Sequence, residues 1–412
     1  MTPQIKQRIE QIRRGEVPEG YKKTKVGIFP DEWNEECLGK YLQEYKELSN
    51  DIENHPVYSS SRQGLIPQSQ YYDNREAVET NLGYKIVPNG YVTYRHMSDD
   101  DIFHFNVNKT GSDVLVSSEY PVFTSTEKGD LGYFIPMLNG NARFRYFCRT
   151  QKMGGTRTRL YYKNLCTYKT AFAPLLEQKK IAEILSAQDK LIALKEKLIE
   201  EKKRQKKALM QQLLTGKKRL SGFSGEWIDV KLGDVFAERV ETNCQDLELL
   251  SVTGTNGVVP RSTIETKDNS SEDKSKYLKI CKGDIGYNTM RMWQGVSALS
   301  KYEGIVSPAY TILIPSPEIS AKYFSYLFKM HAVIFLFYRF SQGIVDDTRS
   351  LKYYEFAKLH LNVPKDKKEQ EAIAEFLNVA DREIEILQRD LDQEKQKKKA
   401  LMQLLLTGIV RV

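Results

Sequence analysis

Cysteine is scarce in this chain of 412 residues: five, at positions 37, 148, 166, 244 and 281, with no two in a Cys-x-x-Cys spacing. That spacing argues against a zinc knuckle and against a disulfide framework. Long apolar runs are missing too. The longest, 332–338, falls far short of the ~20 residues that cross a bilayer. The first residues, MTPQIKQRIEQIRR, are amphipathic and charged and lack the apolar centre of a secretory signal. Neither a phosphate loop, a G-x-G-x-x-G turn, an H-E-x-x-H pair nor a G-x-S-x-G elbow occurs. The Asn/Asp-Pro-Pro-aromatic motif of an amino-group methyltransferase is also missing. His55, His96, His104, His331 and His360 are scattered, and Asp99–Asp101 reads as an acidic turn better than as a metal site. The expectation is a cytoplasmic chain with no catalysis, cofactor, metal or membrane partner of its own.

What is present is a repeat. Residues 177–216 and 369–408 align without a gap at an offset of 192, with roughly half the positions identical; KKALMQ and LLTG recur unchanged. Neither copy contains an internal Gly or Pro, and each ends at a Thr-Gly suited to a helix C-cap. Apolar residues recur at sevens, Leu185, Ile192 and Ile199 in the first copy and Leu377, Ile384 and Leu391 in the second. Ile181 and Ile184 extend the first stripe, Ile373 and Phe376 the second. This is a coiled-coil seam, and the simplest partner for one copy is the other, antiparallel because a whole domain lies between them. Two exposed helices of a larger bundle would be the plainer alternative.

The segments before the helices repeat more loosely. Pro30-Asp31-Glu32-Trp33 with Leu38-Gly39 answers Ser224-Gly225-Glu226-Trp227 with Leu232-Gly233; Gly64–Pro67 answers Gly257–Pro260; Thr156-Arg157 answers Thr348-Arg349. These parts mix turn signals with Tyr, Val, Ile and Thr, so an α+β fold of the α/β class follows, with pseudo-two-fold internal symmetry. The expected divisions are a partial helix at 1–20, a globular domain at 21–173, a central helix at 174–216, a second globular domain at 217–364 and a C-terminal helix at 365–412. Ile5, Ile9 and Ile12 make the first piece look like the tail of a third helix, able to dock where the last one ends.

Charge is unevenly placed. The net +8 is modest, but 175–219 carries 13 Lys/Arg against 6 Asp/Glu, whereas 365–412 carries 10 against 10. The stretch around Lys203, Lys206 and Lys207, and the following Lys217-Lys218-Arg219, is either a solvated face or a phosphate-facing one. Side chains able to read bases lie in the globular parts: Arg62, Gln63, Arg95, His96, Arg157 and Arg159 in the first, and Thr253, Thr255, Asn256, Arg261, Asn288, Arg291, Gln294 and Arg349 in the second. Several of these would be turn formers. One decoy, Pro30-Asp31 with Glu44-Tyr45-Lys46, fits a loose PD…ExK nuclease spacing; the second copy has no ExK there, and an ordinary loop explains it better.

The motifs GEWIDVKLGDVF, TGTNGVVPR, GDIGYNTMRMWQG, GIVSPAY and the paired EQ-x-x-IAE-[IF]-L…KKALMQ-x-LLTG helices together resemble the specificity subunit of type I restriction–modification enzymes, over the whole chain. The resemblance implies two tandem target-recognition domains, each reading half of a split double-stranded DNA site, and an antiparallel helix pair that sets the spacer. It also implies two modification subunits that bind S-adenosylmethionine and methylate adenine, and two restriction subunits that use ATP and magnesium. The first domain has RHMSDD where the second has MRMWQG, so the half-sites are expected to differ. A coiled-coil adaptor for proteins is the competing reading.

Overall fold

The computed structural model describes residues 2–71, 83–152, 156–254, 256–265, 270–345 and 348–412. The chain divides into two compact units, the first made of 1–196 and 390–412, the second of 197–389. Two helices of 39 residues each, Leu175–Leu213 and Lys367–Leu405, contribute to both.

In the first unit a four-stranded antiparallel sheet orders Asn106–Val107, Val92–Thr93, Val122–Ser125 and Leu42–Tyr45. A separate ribbon pairs Asn34–Cys37 with Lys169–Phe172, and Tyr58–Ser61 and Gly64–Pro67 form a hairpin. The second unit repeats the plan. Its sheet orders Phe236–Glu238, Tyr310–Pro315, Ile285–Asn288 and Ser297–Leu299; its ribbon pairs Trp227–Lys231 with His360–Pro364; its hairpin is Leu250–Thr253 and Gly257–Pro260. Short helices back each sheet, Leu131–Gly140 and Ala142–Thr150 in the first unit, Ala321–Leu327 and His331–Phe340 in the second.

The cores explain why the long helices run antiparallel. The first core holds Trp33, Tyr94, Phe123, Tyr133 and Phe134 with Ile181 and Leu185 from the start of the first long helix and Leu405 and Leu406 from the end of the second. The second core holds Phe236, Tyr287, Tyr323 and Phe324 with Leu213 and Leu214 from the end of the first helix and Ile373 and Leu377 from the start of the second. Each apolar side chain so buried is worth roughly 1.5–3 kcal/mol. Each unit thus takes one helix start and one helix end.

Ion pairs within each unit show the same antiparallel register. In the first, Asp189 meets Lys398, Lys195 meets Asp390, and Lys395 Nζ lies 2.7 Å from Glu196. In the second, Lys206 meets Asp381 and Lys202 Nζ lies 2.6 Å from Glu383. Asp189–Lys398 and Asp381–Lys206 are one pair repeated at the offset of 192. Among the expected seam residues, Ile181, Leu185, Ile199, Ile373, Leu377 and Leu391 are buried, and Ile192 and Ile384 half-buried. Ile184 packs against the first core. Phe376, at the same position of the repeat, departs from the expectation and is 46% exposed, because among the described residues no core side chain of the second unit covers it. The intervening heptad positions are partly polar, with Gln188 buried and donating to the Glu394 carboxylate at 2.7 Å.

Both helices end as their Thr-Gly signals predict, at Gly216 (φ 71°) and Gly408 (φ 72°). The first helix, Pro3–Arg13, sits against the chain's far end: Arg8 donates to the Ile409 carbonyl at 2.8 Å and Tyr21 to that of Gly408 at 2.7 Å.

Candidate nucleic-acid interface

The first turn of each long helix contains the dipeptide Glu-Gln, and both residues are buried. Burial of a carboxylate demands compensation. Glu177 receives Trp33 Nε1 at 3.0 Å and Arg411 Nε at 2.6 Å. Glu369 receives both arms of Arg219, Nη2 at 2.6 Å, and that guanidinium also lies over the Trp227 ring. The neighbouring amides do the same work twice. Gln178 accepts from the Asp130 N–H at 3.1 Å and donates to the Ala173 carbonyl at 2.8 Å; Gln370 accepts from Ser320 N–H at 2.9 Å and donates to Pro364 at 2.8 Å. In the basic run left open between a solvated and a phosphate-facing face, Arg219 is neither: it is spent on a buried partner. Its signal was available: Arg219 and Arg411 stand 192 apart, as do Glu177 and Glu369.

With that scaffold fixed, the variable loops can be placed. In the first unit Arg62, Gln63 and Arg95 line one cavity of about 460 Å³. Strand Thr158–Arg159 pairs with Met97–Ser98, setting Arg159 opposite Met97 and Arg157 against Asp99. The acidic turn organises these cations: Asp99 binds Arg157 Nε at 2.8 Å, Asp100 binds Arg62, and Asp101 binds Thr158. Hydrogen bonds from Arg62 and Ser98 outweigh burial and hold the Asp100 carboxyl below its usual range. His96 lies inside, 3% exposed and stacked on Tyr161, and burial holds its imidazole below the usual value. It supports the loop and does not face outward.

In the second unit Thr253 and Asn256, at the hairpin tip, line a groove of about 1290 Å³ with Lys206 and Lys207. Thr253 is a turn former, its hydroxyl donating to Gly257 and accepting from Asn256 N–H. Asn288 likewise caps its own turn, accepting from Met290 N–H at 3.0 Å. Arg261 donates to the Ile264 carbonyl at 3.2 Å. Arg291 and Gln294 stand exposed on the turn that follows Asn288, backed by Trp293 against Tyr338. Arg349 lies 4.1 Å over the same Tyr338 ring. Lys206 is engaged by Asp381 and Lys203 by Glu200, 2.8 Å away. Thr255 lies outside the described residues. Glu44, of the nuclease-like pattern, pairs with Lys46 at 3.0 Å, and among the described residues no three His, Cys, Asp or Glu side chains gather to hold a metal ion. Among those residues, too, no helix is long and apolar enough to cross a membrane.

The family model of the type I restriction modification DNA specificity domain matches this chain twice, over residues 41–204 and 224–395. The chain belongs to the type I restriction–modification specificity family. A curated relative from Methanocaldococcus jannaschii, named as the MjaX specificity subunit of a type I restriction enzyme, is 23% identical across 96% of this chain and 97% of its own length. Among solved structures, the type I restriction–modification S subunit from M. genitalium superposes with a TM-score of 0.56 at 12% identity, over 94% of this chain and 98% of that one. A chain from a structure of complex assembly and conformational transition in the type I system gives 0.52 at 14% identity, over 93% and 99%. Both share the fold of this specificity subunit, with its tandem α+β domains and antiparallel coiled coil. The two family matches begin inside the two units and run into the two long helices.

Proposed function

We propose that this specificity subunit reads a bipartite DNA site, with segment 21–173 contacting one half and segment 217–364 the other. One observation carries the reading: a repeated scaffold presents different exposed side chains at equivalent loops. Arg62-Gln63 stands at the first hairpin tip and Asn256 at the second, while Arg95 and the acid-braced Arg157 in one unit answer Arg291 and Gln294 in the other. Buried contacts are duplicated where exposed ones are not. Such divergence fits two readers of unlike half-sites.

Two modification subunits dock on the helix pair in this reading. Its support is an outward apolar stripe that the coiled coil leaves open, with Leu194 at 66% exposure and its repeat partner Ile386 at 58%. Those subunits bring S-adenosylmethionine and methylate adenine; two restriction subunits bring ATP-driven cleavage. The chain itself contributes recognition and no catalytic group. Were it only an adaptor for proteins, DNA would compete for no surface.

Arg291→Ala is the direct test. The variant, assembled with its modification subunit, is expected to lose about 1–3 kcal/mol of discrimination at one position of one half-site, read as methylation of sites altered there. The other half-site stays as strict as before. Equal relaxation in both halves, or none, overturns the assignment.

A further inference from the structure

The groove of the second unit contains a lysine for which the scaffold has no need. Lys329 donates to the Gly295 carbonyl at 2.6 Å, stapling the turn that carries Arg291 and Gln294. In the first unit the equivalent staple is neutral: Asn139 bonds both the N–H and the carbonyl of Phe105, at 2.9 and 3.1 Å. An amide therefore suffices for the structural task. Lys329 makes a single hydrogen bond among the described residues and leaves two ammonium donors in the groove. Desolvation lowers its pKa to about 8, so its charge is costly where it stands.

The surroundings add charge of the same sign. Lys207 and Lys217 line the groove, and among the described residues neither pairs with a carboxylate. Among the described residues the one acid on the wall, Asp381, is already held by Lys206 and by the Tyr326 hydroxyl. The corresponding groove of the first unit, between the end of the second long helix and its short helices, is about 350 Å³ and contains Lys399, the repeat of Lys207, beside Phe29, Met137, Met402 and Leu406. Where the second unit has Lys217 and Lys329, however, the first has Ile409 and Asn139. Its arginine, Arg143, donates to the Val26 carbonyl at 2.7 Å and lies over Phe29.

We propose that the second unit's groove is a phosphodiester site, where Lys329, Lys207 and Lys217 grip the DNA backbone beside the half-site read by the hairpin tip and the Arg291 turn. The proposal rests on the DNA reading above and adds an asymmetry to it: the backbone is clamped here at the second half-site and not at the matching place in the first unit. It also gives a task to Lys207 and Lys217, two of the cations in excess at the end of the first long helix.

The test is duplex binding by the full chain, co-expressed with its modification subunit, over a range of salt on cognate and scrambled DNA. Lys329→Gln, which keeps an amide donor for the Gly295 carbonyl, is expected to lower the slope of log affinity against log salt by about 0.9, equally on both duplexes; Lys329→Arg keeps the slope. If Lys329→Gln fails to fold, Lys207→Ala with Lys217→Ala carries the same test and is expected to lower the slope by about 1.8. An unchanged slope in a chain that binds DNA overturns the proposal. So does a variant that loses its modification subunit while its slope persists, which would assign the groove to an acidic protein segment. Absence of DNA binding by the unaltered assembly would instead overturn the DNA reading itself.

Discussion

Arg219→Ala is expected to destabilise the second unit by about 3–5 kcal/mol, the cost of leaving a buried charge without its partner. The reason is the environment of Glu369, 1% exposed and held by both arms of Arg219. Water cannot replace the guanidinium there without opening the junction between the end of one long helix and the start of the other. The stacking of Arg219 on Trp227 is lost as well. For a unit of this size the thermal midpoint should fall by on the order of 10 °C. Arg411→Ala in the first unit should cost less, because Glu177 retains the hydrogen bond from Trp33. Calorimetry of the two single variants checks both the size and the order. A fall of under 1 kcal/mol for Arg219→Ala would mean that the pair is a surface contact of the ordinary kind.

Inserting one heptad into each long helix, beside Glu196 and beside Gln388, is expected to lengthen the unread spacer of the DNA site by up to about three base pairs. Seven residues add about 10 Å of helix, against 3.4 Å per base pair. A whole heptad preserves the seam, so Asp189–Lys398 and Asp381–Lys206 keep their partners. Insertion of three or four residues shifts that register and should disrupt the pairing instead. Sequencing the methylated motif reads the result. A spacer of unchanged length in the heptad variant would refute the proposal that the helices set it.

The parts of this fold legible in the sequence are those that local chemistry dictates. Repeated Thr-Gly pairs end both helices, heptads mark most of the seam, and the spacing of Ile5, Ile9 and Ile12 finds the first helix. What was not legible depends on tertiary surroundings. Ile184 and Phe376 occupy one position in the repeat, yet the first meets a core and the second meets solvent. Arg219 and Lys217 sit two residues apart in one basic run, yet one is tied to a buried carboxylate and the other lines an open groove. His96 resembles a surface reader beside Arg95 until the bend before strand Met97–Ser98 turns its ring inward onto Tyr161. Charge counts describe a segment, whereas partners are chosen one side chain at a time.

The central claim is that two units read two independent halves of one site. Exchanging segment 217–364 for that of a relative with a different specificity, and sequencing the methylome of a host carrying each form, tests it most directly. A split adenine-methylation motif is expected in which one half changes and the other half and the spacer persist. A continuous or palindromic motif, or a change in both halves at once, would contradict it.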